Sequence, residues 1–217
     1  MNKILIILSL ILLASCSPSD IPPEGLEERQ GFYYEVNSQI PYSGPQESYY
    51  ENGQLKSKGN YKDGQLDGPY KSYYENGQLK SKGNYKDGQE DGLWEYYFDN
   101  GQIKKKINFK DGEKEGLQEE YRDNGQLNYK GNYKDGEKEG LQEEYHDNGQ
   151  LKSKGNFIDG QKDGLWEYYF DNGILISKGG CKDGWREGLW KYYSENGTFW
   201  YQEIARKKWT KCIELRL

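Results

Sequence analysis

The chain is poor in the side chains that carry chemistry. It holds one histidine, His146, and three cysteines in 217 residues. A Cys–His nucleophile pair or a histidine-rich metal cluster therefore has little to draw on. No serine elbow and no phosphate-cradling glycine loop occurs. The Asp-Gly segments match the spacing of neither the EF-hand nor the calcium-binding nonapeptides, so no metal and no cofactor are expected. Charge of one sign is also lacking. Thirty basic residues face thirty-six acidic ones, a net of −6, evenly interleaved. A nucleic-acid partner would need a basic face and is not expected. Only 33% of residues are hydrophobic and the mean hydropathy is −1.16, which leaves no deep core. Such a composition would fit a disordered chain. However, twenty-one tyrosines and 15% aromatic residues supply buried area with a polar tip.

What is present is a repeat. Asn-Gly falls at Asn52-Gly53, Asn76-Gly77, Asn100-Gly101, Asn124-Gly125, Asn148-Gly149, Asn172-Gly173 and Asn196-Gly197, 24 residues apart each time. Asp-Gly keeps the same period from Asp63-Gly64 to Asp183-Gly184, and a third glycine does so from Gly44 to Gly188. A fixed period of this length indicates an array in which each unit packs only on its neighbours. The units read as paired strands, so the fold class is all-β: an elongated, single-layer twisted sheet of about seven antiparallel hairpins. About fourteen strands at ~4.8 Å would make a ribbon ~65 Å long.

Register follows from the turns. A three-residue loop Asp99-Asn100-Gly101, with Gly101 left-handed in a G1 bulge, pairs Tyr97 with Ile103. It would place Leu93 opposite Ile107. A longer loop from Asp111 to Glu115 would place Phe109 opposite Leu117. Leu93, Tyr97, Ile103 and Phe109 then form the buried face, on which Glu95, Glu119, Glu143 and Glu167 are unexplained. The other face carries Trp94, Tyr96 and Phe98 in one unit, Trp166, Tyr168 and Phe170 in another, and Trp190 and Tyr192 near the end. Between them stand Gln118, Glu120, Arg122 and Gln142, Glu144, His146. The aromatics either form an exposed binding surface or cover a second layer and pair with lysines. His146 occupies a freely variable slot and reads as a solvated residue.

Residues 1–15 combine a short basic start with the apolar run Ile4 to Ala14, about eleven residues long and too short to span a bilayer. The run ends in Leu13-Ala14-Ser15-Cys16, which resembles the bacterial lipobox. That resemblance implies cleavage before Cys16, acylation of its thiol and amine, and membrane attachment through the lipid. With Ser17 following, it implies retention at the outer membrane. Residues 16–30, with Pro18, Pro22 and Pro23, read as a flexible tether. Residues 31–43 read as an N-terminal cap, 44–197 as the array and 198–217 as a C-terminal cap. Cys181 and Cys212 are either a disulfide or two small buried apolar residues.

The run Tyr-Tyr-Glu-Asn-Gly-Gln-Leu-Lys, then Gly-Asn-Tyr-Lys-Asp-Gly and Asp-Gly-Leu-Trp, resembles the bacterial variant of the MORN repeat across roughly residues 42–205. The resemblance implies a protein-binding or membrane-associated scaffold rather than an enzyme, and for one bacterial branch an antitoxin partnered by a toxin. The function expected is a non-catalytic, lipid-anchored scaffold for a protein partner at the cell envelope; the alternatives are an antitoxin and a glycan- or peptidoglycan-binding protein that uses the aromatic residues.

Overall fold

The computed structural model describes residues 25–205 and 210–212; Cys16, the signal segment and most of the tether lie outside them. The strands are β1 (Leu26–Arg29), β2 (Phe32–Glu35), β3 (Gly44–Tyr49), β4 (Leu55–Lys62), β5 (Gln65–Leu66), β6 (Gly68–Tyr73), β7 (Leu79–Lys86), β8 (Gln89–Tyr97), β9 (Ile103–Lys110), β10 (Glu113–Tyr121), β11 (Leu127–Lys134), β12 (Glu137–Tyr145), β13 (Leu151–Ile158), β14 (Gln161–Tyr169), β15 (Leu175–Lys182), β16 (Trp185–Tyr193) and β17 (Phe199–Ala205). β3 to β17 form one 15-stranded antiparallel sheet in chain order, with β5 a short extra pairing on β4. The tether ends sooner than its sequence suggests. Leu26–Arg29 pairs with β2 in a hairpin that docks on the array through Tyr33 N–H to the Gly64 carbonyl (2.8 Å) and the Tyr33–Tyr61 ring contact.

Two kinds of turn alternate. At Asn100-Gly101 the glycine sits at φ +85°. The Asn100 side-chain oxygen accepts from Gln102 N–H (2.9 Å), and its amide donates to the Asp123 carbonyl of the next repeat (3.2 Å). Asparagine is thus both turn former and inter-repeat strut, which accounts for its regularity. At Asp111-Gly112 both residues are left-handed, φ +50° and +78°, and Lys110 pairs directly with Glu113. This is a two-residue type I′ turn. The longer loop expected there is absent, because aspartate tolerates a positive φ and lets the hairpin close sooner. Phe109 consequently faces Lys114, not Leu117. The slack is absorbed downstream in a bulge around the third glycine, as where Asn132 pairs with Glu139 but Gly131 with Gln142.

Tyr97 pairs with Ile103, but a bulge then shifts the ladder by one, so that Tyr96 meets Lys105 and Trp94 meets Ile107. That single residue exchanges the faces, because side chains alternate with a period of two. Leu93 faces Asn108 and is 48% exposed, whereas Trp94 is 2% exposed. The buried face is the one carrying the tryptophans. The face read as buried is the solvent face, and there the repeated glutamates gain an explanation. Glu95 accepts from Tyr97 (3.2 Å) and pairs with Lys82 (2.5 Å); Glu167 does the same with Tyr169 (2.9 Å) and Lys154 (3.1 Å).

Candidate functional site

The buried face is built from a lock between neighbouring strands. Trp166 stands between Gly155 on β13 and Gly179 on β15. Its indole lies so flat on Gly155 that a Cβ there would come within 2.3 Å of ring carbons; Trp94 on Gly83 and Trp190 on Gly179 repeat the arrangement. Each indole N–H donates to the carbonyl just beyond that glycine: Asn84 (3.0 Å), Asn156 (3.2 Å) and Gly180 (3.0 Å). Tyrosines then cover the indoles, Tyr96 on Trp94 and Tyr168 on both Trp166 and Trp190. The expectation of an exposed aromatic surface is therefore corrected. Trp94, Trp166, Tyr168, Trp190 and Tyr192 are buried, and Tyr96, Phe98 and Phe170 are half-buried. Glycine beneath each ring gives the indole room to lie down, and the neighbouring ring closes over it. Lys162 stacks 3.7 Å above the Trp166 ring, and Arg186 sits 4.1 Å above that of Trp190.

The lock fails in the middle of the array. Here the tryptophan slot holds Gln118 and Gln142, and the tyrosine slot holds Glu120 and Glu144. Gln142 still imitates an indole. It lies on Gly131 and donates to the Asn132 carbonyl (2.8 Å), while its oxygen accepts from the Tyr129 hydroxyl. Gln118 cannot do so, because Ile107 replaces the glycine opposite it in the preceding strand. Its amide turns instead to Glu120 (2.7 Å), and its Oε1 is buried without a hydrogen-bond partner.

The missing rings leave a polar groove of about 790 Å³, lined among others by Gln118, Glu120, Tyr129, Lys138, Glu144 and His146. Glu120 is paired with Lys105 (2.7 Å). Arg122 donates to the Tyr145 carbonyl (2.7 Å) and pairs with Asp147 (2.9 Å). His146 donates from Nε2 to the Tyr169 carbonyl (2.8 Å). It is half-buried and spans two repeats, a job done in its slot by Tyr50, Tyr74 and Arg122 elsewhere, so the solvated reading is corrected. Lys138 lies over the Tyr129 ring (4.8 Å) and the Phe157 ring (5.2 Å), and Lys114 over that of Tyr133 (4.9 Å). Burial, then Lys105 and Lys138 nearby, hold the Lys114 ammonium below the usual lysine range. Burial pushes the Tyr129 hydroxyl well above the ordinary tyrosine value.

Seven successive stretches match the family described as the MORN repeat variant: residues 42–63, 66–87, 90–111, 114–135, 138–159, 162–179 and 186–203. The chain belongs to that family. MORN repeats are commonly non-catalytic modules that bind proteins or membranes. No curated protein matches the chain. The groove thus sits in the fourth and fifth MORN repeats. Its residues were visible in the sequence only as departures from the repeat, Gln-Glu-Glu where the flanking units have Trp-Glu-Tyr. At the C-terminal end Cys181 and Cys212 are bonded, with Cα atoms 6.2 Å apart. The bond holds Thr210–Cys212 along the last repeat, where Cys212 N–H donates to the Gly184 carbonyl and Arg186 N–H to that of Thr210 (both 2.9 Å).

Proposed function

We propose that the protein is a non-catalytic scaffold, anchored by lipid at Cys16 to the outer membrane of a bacterial envelope, that holds a protein partner in the groove of its fourth and fifth repeats. One observation carries the reading: indole-on-glycine packing closes the buried face at Trp94 and again at Trp166 and Trp190, and between them a groove opens onto charged and hydrogen-bonding groups. Binding sites combine concavity with a few placed polar groups. A sugar platform would need exposed ring faces, and the rings here are covered, so the glycan alternative has less support. An antitoxin role rests on the family resemblance. It would be supported by a linked toxin gene whose toxicity the leaderless form relieves.

The test places a photo-crosslinking phenylalanine analogue at His146, a slot that accepts Phe98 and Phe170 elsewhere, in the full-length chain in its native envelope. A discrete protein adduct at His146, absent when the analogue replaces the exposed Ile158, is the expected result. Equal labelling from both positions, or none from His146, sinks the scaffold reading. Labelled palmitate should be incorporated by the parent and not by Cys16→Ala; incorporation by both would remove the anchor.

A further inference from the structure

Beside the groove, where the third repeat meets the fourth, the same face holds a second cavity of about 500 Å³. Three departures from the repeat meet in it. Ile107 stands where other units have Gly83, Gly131, Gly155 and Gly179; Glu120 stands where Tyr96, Tyr168 and Tyr192 do; Asn128 stands where Lys80, Lys104 and Lys152 do. All three line the cavity. Ile107 is 4% exposed and gives it an apolar floor, and Tyr74 and Tyr96 give it aromatic walls. No ring comes down on this floor, because the slot that supplies one elsewhere holds Glu120. The charges around it do not cancel. Lys105 and Glu120 answer each other (2.7 Å). Lys80 and Lys104 also line the cavity. They lie over the rings of Tyr74 (5.8 Å) and Phe98 (5.5 Å), which holds their stems beside it, and neither makes an ion pair among the described residues. An apolar floor next to two unanswered ammonium groups is the complement of a carboxylate carried on an apolar group. A protein has both features on one residue at one place, the end of its chain when the last residue is apolar. The rest of such a chain has somewhere to go, since Glu120 and Asn128 line both this cavity and the polar groove.

We propose that this cavity binds the carboxyl-terminal residue of a partner protein, with its apolar side chain on Ile107 and its terminal carboxylate against Lys80 and Lys104. The preceding residues run out into the groove. The inference rests on the protein-binding reading and adds which part of the partner is held.

The experiment uses the full-length protein in lipid nanodiscs, at low salt, with fluorescein-labelled hexapeptides in a Ser/Ala background. One ends in leucine with a free carboxylate, one in leucine amide and one in serine with a free carboxylate. The leucine acid should bind at least tenfold more tightly than either of the others. Glu120→Tyr, which restores the ring that other repeats carry in this slot, should abolish binding. Lys80→Gln with Lys104→Gln should erase the preference for acid over amide and keep that for leucine over serine. That variant is read as a change in one ratio with the other intact, so a misfolded chain cannot imitate it. Lys86→Gln, away from the cavity, should change nothing. Equal binding of the three peptides, an acid preference that survives the double lysine variant, or undiminished binding by Glu120→Tyr overturns the proposal. So does N-acetyl-leucine binding as tightly as the peptide, which would make the ligand a free acid. If an envelope protein still crosslinks at His146 while the peptides fail, only the assignment of the chain end is wrong; if no crosslink forms, the scaffold reading has failed too.

Discussion

Two stretches of one sheet, built on the same turns and the same period, do different things with their inner face. Around Trp166 and Trp190 every slot is used for packing: indole on glycine, tyrosine on indole, cation on ring. Around Gln118 and Gln142 the same slots hold amides and carboxylates, and one buried oxygen is left without a partner. The backbone barely registers the change, since β9 through β15 pair alike. In a repeat array the hairpin supplies the frame and a few interior slots decide whether a unit stabilises its neighbours or offers a surface. That separation lets function be placed in the middle of an array without breaking it.

The comparison can be broken most directly at its packed end. Trp190→Ala should cost about 4 kcal/mol by native-state hydrogen exchange of the last two repeats, whereas Gln142→Ala should cost about 1–2 kcal/mol in the middle. Equal losses would mean the rings do not carry the difference. Next in size, Cys212→Ser should destabilise the C-terminal repeat by about 3 kcal/mol, from a closed loop with a sequence separation of 31, and leave exchange around Asn124 unchanged. A uniform loss along the array would contradict nearest-neighbour packing. Turn chemistry follows: Gly101→Val should cost about 2 kcal/mol because the position lies at φ +85°. Lys104→Ala, at the extra residue of the bulge, should cost under about 0.5 kcal/mol, and similar melting shifts for the pair would refute the turn assignment. In the groove the sign reverses. Gln118→Leu should raise stability by about 1 kcal/mol by removing the orphan acceptor, and a loss instead would show that the acceptor has a partner.

The smallest effect belongs to the solvent face. The Lys82 ammonium, through its hydrogen bond, holds the Glu95 carboxyl below the usual carboxylate range. A carboxyl lowered on folding contributes stability above its unfolded pKa of about 4.3, and that contribution is lost as pH falls through the lower folded value. The pair is partly solvated, so screening leaves a few tenths of a kcal/mol. Lys82→Met should remove that much at pH 7 and progressively less as the pH falls through the lowered Glu95 value. A constant loss at all pH values would make the effect one of packing.

The repeat, the hairpins and the Tyr97–Ile103 pairing were legible because turn residues act locally. Asn-Gly states its own geometry, and seven equal spacings repeat it. The Asp-Gly turn was misjudged, since nothing in the sequence says whether aspartate accepts a positive φ or sits at the start of a longer loop. That choice moved Phe109 from Leu117 to Lys114. The larger error came from one extra residue per hairpin. Composition even favoured the wrong side, because leucine is the more apolar residue and Leu93 lies in solvent. The groove was legible only as Gln118, Glu120, Gln142 and Glu144 departing from a pattern; that they surround one cavity depends on which face is inside.

What the amino-acid sequence determined by itself was therefore the period, the number of units, the turn positions and the all-β class. These follow from φ preferences and hydrogen bonds within a few residues. The tertiary structure alone decided which face is buried and where the aromatic packing stops. A bulge shifts every side chain after it by one position, and burial belongs to the assembled sheet rather than to any strand in it.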